Sequence, residues 1–287
     1  MNGTSLTLGL VGALAAGAAL SRRGSLAMQP TMFHGTSPGG AASILRQGFR
    51  GAKRGRISTM REAIDAYEAM RSRILREMNL DKPNEDYWHA VSDAVWNAED
   101  EIEGIGTPMP GFVYLAKRYD DVLARGEDRN GWSYVLEVDT SDASRILPDE
   151  DWLGKNILAY LEGGRSYGKS EDIKRALGLL GEEFVAEARS MLEYAASDDW
   201  RIGSPVAKDA ISGLSRTKAG RELLARFAES ADTVAYRGSP RVVRVWKHGA
   251  GPGFKRVEVP ESSWPDLARQ LGGQEVARRE TLGRRLR

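Results

Sequence analysis

Residues 31–49 read TMFHGTSPGGAASILRQGF, and this stretch decides which fold we expect. The segment Met32–Thr36 predicts a short strand that breaks at Gly35, because glycine and the Ser-Pro pair that follows interrupt regular pairing. Small and apolar residues then recur at helical spacing as far as Gly48, which predicts a short helix. A strand, a polar turn and a helix in quick succession indicate a chain that mixes both kinds of secondary structure.

Further strands are predicted on both sides of a long helical region. Segments rich in β-branched and aromatic residues are typical of strands, and they occur at Phe112–Ala116, Trp132–Val138, Thr233–Tyr236, Val242–Lys247 and Lys255–Val259. Between the second and third of these segments, apolar residues keep helical spacing over about 152–229. Strands that flank a helical block predict the α+β class.

A helical insertion is predicted between the first two strands, at about 58–104. Thr59 and Glu62 form a capping box, and apolar residues follow at helical spacing, namely Ile64, Tyr67, Ile74, Leu75 and Met78. A second helix is predicted from Asn84 to Ile102, with an apolar stripe of Tyr87, Trp88, Val91, Val95 and Trp96. The stripe places His89 on the other side, so we interpret the pair as a helical hairpin with a surface histidine.

Composition excludes some classes of protein. The chain has 287 residues, 41% of them hydrophobic, which is enough for a sizeable core. With 41 basic and 40 acidic residues its net charge is only +1, so attraction to a polyanion must be local. The chain has no cysteine and its three histidines are far apart in sequence, so a spaced zinc motif is not expected.

The leader, residues 1–28, contains the uncharged stretch LTLGLVGALAAGAAL at residues 6–20. A helix that spans a bilayer needs roughly 20 apolar residues, and a secretory signal carries its positive charges before the apolar run, whereas Arg22 and Arg23 follow it here. Two interpretations stay open. The stretch either contacts or inserts into a membrane, or it is a small-residue helix packed against protein.

The C-terminal tail, residues 263–287, is predicted to begin as a helix with Trp264, Leu267 and Leu271 on one face. It then becomes basic, at Arg278, Arg279, Arg284, Arg285 and Arg287. Five arginines in ten residues favour binding to phosphate or to an acidic partner. The alternative is a solvated helical tail, which we prefer.

The strand and turn FHGTSPGGAASILRQGF, residues 33–49, resemble the first motif of the diphtheria-toxin-like branch of the ADP-ribosyltransferases, a branch that includes poly(ADP-ribose) polymerases. The family carries a His-Gly-Ser/Thr triplet, matched by His34, Gly35 and Thr36. The resemblance implies that His34 bonds a ribose hydroxyl of NAD and that the Gly35 backbone pairs with the nicotinamide amide. Glycine suits that place, because a side chain would block a flat ring from the backbone.

The segment GFVYLAKRYDDVLARG, residues 111–126, is similar to the second motif of the same family. In that motif a tyrosine stacks on nicotinamide, and Tyr114 takes its position. Stacking would hold the ring while the glycosidic bond lengthens. The following WSYVLEVDTSDASRILPDED, residues 132–151, resembles the next strand and acidic turn, with Asp149, Glu150 and Asp151 at the turn. The order of the three matches carries the resemblance, which implies a split β-sheet core with helical insertions.

The third family motif departs from the pattern. Catalytically active relatives place a glutamate at the start of a late strand, where this chain has Thr233. Threonine cannot act as a carboxylate base. Glu229 and Asp232 lie just before it, and either reaches the pocket only if the strand register differs from our alignment. Binding of NAD is therefore a safer expectation than catalysis.

A competing motif lies at Gly163–Ser170, where GGRSYGKS fits the phosphate-loop pattern G-x-x-x-x-G-K-[ST]. That loop follows a buried strand, but residues 156–162 have the apolar spacing of a helix. We interpret the segment as a Gly/Ser loop in which Ser170 caps the next helix. Nucleoside triphosphate binding stays an alternative.

The sequence thus predicts an ADP-ribosyltransferase-like domain over residues 29–262 that binds NAD as substrate and modifies an unknown protein or nucleic-acid acceptor. The main alternative is a structural or delivery protein that keeps the fold without the chemistry. A weakly hydrophobic leader with a helical insertion resembles bacterial toxins and phage-encoded proteins that are packaged in the virion or injected into the host. By that resemblance we expect a phage or toxin context and a larger assembly.

Overall fold

The structure is a computed structural model that describes residues 30–51, 59–77, 109–127, 134–163, 170–193, 200–248 and 256–273. In these ranges the protein is an α+β fold with seven strands and nine helices. None of the helices that the structure describes is both long and apolar enough to cross a membrane. The leader, the predicted helix Asn84–Ile102 and the arginine-rich end of the tail lie outside the described residues.

The strands form one antiparallel sheet in the order β4-β5-β2-β1-β3-β6-β7. In chain order they are β1 (Thr31–Thr36), β2 (Phe112–Ala116), β3 (Tyr134–Asp139), β4 (Ile146–Pro148), β5 (Thr233–Arg237), β6 (Val242–Lys247) and β7 (Val257–Val259). The six strands expected from the sequence are all present within a few residues of their expected bounds. The edge strand β4 was not expected, because three residues ending in proline carry no strand periodicity.

The helices are α1 (Pro38–Gln47), α2 (Met60–Glu77), α3 (Tyr119–Glu127), α4 (Glu150–Leu161), α5 (Ser170–Leu180), α6 (Glu182–Glu193), α7 (Trp200–Ser215), α8 (Lys218–Ser230) and α9 (264–273). The predicted capping box begins α2: Thr59 Oγ1 accepts from the Glu62 amide and Glu62 Oε2 accepts from the Thr59 amide, both at 3.1 Å. Helix α4 begins at the N-cap Asp149, whose carboxylate accepts from the Asp151 amide at 3.0 Å. These caps satisfy amides that the first helical turn leaves without partners.

The predicted helical block is confirmed, since helices α4 to α8 occupy the described part of 150–230. Together with α2 they enclose a core against the β4-β5-β2 part of the sheet, which includes Leu153, Ile157, Ile173, Met191 and Phe227. Helices α4 and α7 touch through glycine: a Cβ on Gly154 would lie 1.9 Å from the Gly203 carbonyl oxygen. Glycine at both positions therefore permits the contact between the two backbones.

A second core lies on the opposite face of the sheet, under α1 and α9. It contains Met32, Leu136, Val138, Val234 and Val245, all fully buried, with Ala41, Ala42 and Leu271 from the helices. Trp264 and Leu267 pack against the same core, as their shared helical face predicts. The beginning of the tail is therefore part of the folded domain.

The sheet is not equally bonded throughout. Strand β1 pairs with β3 over six residues, from Thr31 opposite Asp139 to Thr36 opposite Tyr134, but it pairs with β2 only at Phe33 opposite Ala116. The β4-β5-β2 part and the β1-β3-β6-β7 part are thus joined by one residue pair. We call this weak junction between β1 and β2 the seam.

Candidate functional site

The structure brings the two sequence motifs to the seam from opposite sides. His34, Gly35 and Thr36 end β1, and Tyr114 is the middle residue of β2. Side chains alternate between the two faces of a strand, and Phe33 lies opposite Ala116. Gly35 and Tyr114 therefore share one face of the sheet, whereas the His34 side chain leaves from the other. The His34 side chain thus contacts the Tyr114 main chain at the seam, and the two side chains lie on opposite faces.

His34 replaces main-chain pairing with a side-chain hydrogen bond across the seam. Its Nδ1 lies 3.0 Å from the Tyr114 carbonyl oxygen. A carbonyl oxygen only accepts, so Nδ1 carries the hydrogen and Nε2 of the neutral ring is an acceptor. Burial lowers the pKa of His34 below its usual 6.5, opposed by this backbone hydrogen bond. The imidazole is therefore neutral at pH 7 and offers an acceptor to a ligand hydroxyl.

The His34 ring has an aromatic neighbour besides the Tyr114 carbonyl oxygen. Phe49 packs edge-on against it, with ring centroids 5.1 Å apart. The turn after β1 is capped by Ser37, whose Oγ accepts from the Gly40 amide at 3.2 Å. Ser37, and not His34, therefore caps that turn.

Thr36, the third residue of the triplet, is buried against the first turn of α1. A Cβ on Gly40 would lie 2.1 Å from Thr36 Oγ1, so the threonine side chain occupies the space that glycine leaves. Thr36 lies opposite Tyr134 of β3. The Thr36 side chain therefore positions α1 against the triplet. Gly35, by contrast, has no side chain.

Tyr114 is held by a carboxylic acid that sequence reasoning did not pair with it. Its hydroxyl donates to Glu150 Oε2 and accepts from the Met109 amide at 2.9 Å. The Met109 amide also approaches Glu150 Oε1 at 3.1 Å. The contact joins β2 to the start of α4, and it fixes the half-buried tyrosine ring beside the seam.

The environment of this pair favours its protonated forms. Burial raises the pKa of Glu150 to about 7, with Asp149 and Asp151 adding to the rise and the Tyr114 hydrogen bond opposing it. Burial and the neighbouring Glu150 also raise the pKa of Tyr114. The tyrosine hydroxyl thus keeps its proton at neutral pH, while Glu150 changes charge near it.

Thr233, which stands where the resemblance leads us to expect a glutamate, faces the same side as Tyr114. It lies opposite Ala116, two residues from Tyr114, and its hydroxyl donates to Asp149 Oδ2. Thr233 and Asp149 are both buried. A carboxylate therefore lies next to the threonine after all, but it comes from the start of α4.

The other two acidic candidates lie elsewhere. Asp232 precedes β5 on the solvent side, and its carbonyl oxygen accepts from the Lys117 amide at 3.1 Å. Lys117 Nζ donates to the Glu229 carbonyl oxygen at 2.7 Å, and burial lowers the pKa of this lysine against the charges of Asp232 and Glu229. Both residues thus lie next to Lys117, and no described contact joins either of them to Tyr114.

Aromatic residues extend the face that carries Gly35 and Tyr114. Trp246 of β6 lies opposite Val135, the β3 partner of Gly35. Tyr119 packs edge-on against Phe33 and Trp246, at centroid distances of 5.9 and 6.3 Å. Arg256 lies 4.5 Å above the Trp246 ring. Aromatic rings and one guanidinium group therefore lie together on this face.

The phosphate-loop alternative lacks its preceding strand. Residues 150–161 form helix α4, as their spacing predicts, and residues 164–169 lie outside the described part of the chain. Helix α5 begins at Ser170. A phosphate loop opens directly from a buried strand, so the described surroundings do not support this alternative.

The contact between Tyr114 and Glu150 was not predictable from sequence spacing. The two residues are 36 positions apart and belong to different elements. The only available signal was the Asp149–Asp151 run before an apolar helix, which is typical of an N-terminal cap and does not show which carboxyl is buried.

Comparison of the chain with protein-family models, curated proteins and solved structures found no match.

Proposed function

We propose that the protein binds NAD at the seam and is an ADP-ribosyltransferase-like protein whose acceptor is a protein or a nucleic acid. One observation carries the proposal: β1 and β2 pair only at Phe33 and Ala116. Beyond that pair the two strands are joined by the hydrogen bond of His34 to the Tyr114 carbonyl oxygen, where both sequence motifs lie. The resemblance of residues 33–49 and 111–126 to the first two family motifs, in the family's order, supports it.

The chemistry at the seam fits the parts of NAD. Nε2 of His34 accepts from a ribose hydroxyl, because Nδ1 is already committed to the Tyr114 carbonyl oxygen. Gly35 leaves room for a flat amide-bearing ring, and the Tyr114 ring lies on the same face. Arg256 provides a positive charge on that face for a pyrophosphate group.

Transfer of ADP-ribose requires a group that orients the acceptor or polarises the ribose. Glu150 is the carboxyl group bonded to Tyr114, and its pKa near 7 lets it exchange a proton at neutral pH. We propose that Glu150 holds the Tyr114 ring in place and supplies the carboxyl function that Thr233 lacks.

A second candidate function is NAD binding without transfer, as in a structural or delivery protein that keeps the fold. One observation favours it: the hydroxyl at the family glutamate position, that of Thr233, is bonded to Asp149. The carboxyl groups of Asp149 and Glu150 are thus each bonded to another side chain, that of Thr233 and that of Tyr114 respectively. The two candidates differ in whether nicotinamide is released.

A calorimetric NAD titration of the purified chain tests the proposal. We expect His34→Leu and Tyr114→Leu each to weaken NAD binding about tenfold or more. The first removes the acceptor for the ribose hydroxyl, and the second removes the aromatic ring that faces the nicotinamide. Tyr114→Phe keeps the ring and should bind within about threefold of the parent. Tyr160→Leu, a half-buried tyrosine of α4, is the matched control and should leave binding unchanged.

Failure of the parent chain to bind NAD would refute the proposal. Release of nicotinamide by the parent but not by Glu150→Gln supports transfer or hydrolysis, whereas binding without release supports the second candidate. Circular dichroism of each variant shows whether it is folded.

A further inference from the structure

A separate cavity lies at the outer edge of the sheet, beside strand β4. It has a volume of about 410 Å³ and is lined by residues 143–147, by the end of α7, by the first half of α8 and by Arg237 at the end of β5. None of His34, Gly35 and Tyr114 lines it, because β5 and β2 separate it from the seam. The size is that of a small-molecule site.

The charge of the lining has one sign. Three arginines, Arg145, Arg221 and Arg237, line the cavity, and among the residues that the structure describes no acidic side chain does. Asp142 lies just outside and pairs with Arg145 at 2.9 Å, which leaves positive charge in excess. Guanidinium groups that converge on one concave surface are the usual protein partners of phosphate and carboxylate groups.

The structure fixes each arginine while leaving donors unused. Arg221 donates one nitrogen to the Ser215 carbonyl oxygen at 2.9 Å, and Arg237 lies 5.5 Å over the Phe112 ring. Arg145 Nη1 comes within 3.7 Å of the place where a Cβ on Gly238 would lie, next to Arg237 in the chain. Each guanidinium has five N–H donors, so every one of them retains several for a ligand.

The remaining lining is apolar or already bonded. Ile146, Leu147, Leu224 and Ala225 supply apolar surface. Ser215 Oγ donates to the Ile211 carbonyl oxygen at 2.6 Å, and Ser144 Oγ donates to Asp142. The arginines are therefore the donors for an anion, and the apolar side chains suit a carbon-rich part of the same ligand.

We propose that this cavity binds a small molecule that carries a phosphate or pyrophosphate group. The phosphate oxygens accept from Arg145, Arg221 and Arg237, and the rest of the ligand lies against Leu224 and Ala225. A long nucleic acid is disfavoured, because the positive charge is limited to three arginines and the chain as a whole has a net charge of only +1.

Titration of inorganic pyrophosphate into the full chain, at about 0.15 M salt, tests the site. We expect Arg221→Gln and Arg237→Gln each to weaken binding about tenfold, as when charge-assisted hydrogen bonds are removed. Both arginines are exposed, so these variants should fold. Arg175→Gln removes an exposed arginine of α5 outside the lining and should leave binding unchanged.

A second variant separates a cavity ligand from general attraction to positive charge. Ala225→Trp fills the cavity without removing a charge, and we expect it to abolish pyrophosphate binding. The variant His34→Leu should not affect pyrophosphate, so failure here is distinct from failure at the seam.

Three results would overturn the proposal: no pyrophosphate binding by the parent chain, an equal loss in Arg175→Gln and Arg221→Gln, or tighter binding of citrate than of pyrophosphate. If a single-stranded RNA binds the parent chain and still binds the Ala225→Trp variant, attraction to surface charge explains the binding and the cavity does not.

Discussion

Strand β1 is joined to its two neighbours in very different ways. On one side six residues pair with β3, and on the other side one residue pairs with β2. At the β3 junction Met32, Leu136 and Val138 are fully buried in one core. At the seam an imidazole reaches the Tyr114 carbonyl oxygen instead. The first junction therefore combines strand pairing with a buried core, whereas the second depends on one residue pair and one side-chain hydrogen bond.

The β3 junction should give the largest effect on stability. We expect Leu136→Ala to lower the free energy of unfolding by about 3 kcal/mol, because it leaves a cavity in a fully buried site. Denaturant unfolding measures the change. Val257→Ala, at an exposed site of the same part of the sheet, should change stability by less than about 0.5 kcal/mol. A loss below about 1 kcal/mol in Leu136→Ala would show that the β3 junction is not the rigid part.

The pair of Tyr114 and Glu150 should make stability depend on pH. The pKa of Glu150 is about 7 in the folded protein, above its usual 4.5, so between these values the folded state binds more protons than the unfolded state. Protonated Glu150 contributes about 3 kcal/mol to the free energy of unfolding below pH 4.5, and this contribution is lost as pH rises to 7.

Unfolding free energies measured from pH 4.5 to 8 for the parent and for Glu150→Gln isolate this group. From pH 4.5 to 7 the parent should lose unfolding free energy relative to Glu150→Gln. Above pH 7 the difference between the two proteins should become constant. Parallel curves for the two proteins would contradict the buried position of the carboxyl group.

The seam should give the smallest effect on stability. His34→Leu removes the donor to the Tyr114 carbonyl oxygen, which costs about 1 kcal/mol when water can replace the lost partner. The same denaturant experiment measures it. A loss as large as that of Leu136→Ala would show that the seam is a structural junction and would remove the contrast with β3.

Local sequence patterns were sufficient for most of the fold. Each of several elements is marked by a residue pattern within a few positions: the capping box at Thr59, the helical face of Trp264 and Leu267, and the strands Phe112–Ala116 and Val242–Lys247. Strand β4 was missed, because its three residues are held by pairing with β5, from Ile146 opposite Tyr236 to Pro148 opposite Val234. Such pairing is tertiary and leaves no local period.

The site was predictable only in part, for the same reason. The motifs identified His34 and Tyr114, and the structure brings them to one seam. It could not be read from sequence that their side chains leave on opposite faces, since that depends on the register of Phe33 with Ala116. The bonds of Glu150 to Tyr114 and of Asp149 to Thr233 depend on how α4 packs against the sheet.

Amide hydrogen exchange with and without NAD tests the central claim most directly. We predict that NAD slows exchange at residues 33–36 and 112–116, because a ligand at the seam covers amides there, while residues 136–138 of β3 are already protected and do not change. Unchanged exchange at the seam, or protection confined to residues 143–147 and 221–225 around the arginine cavity, would contradict the account.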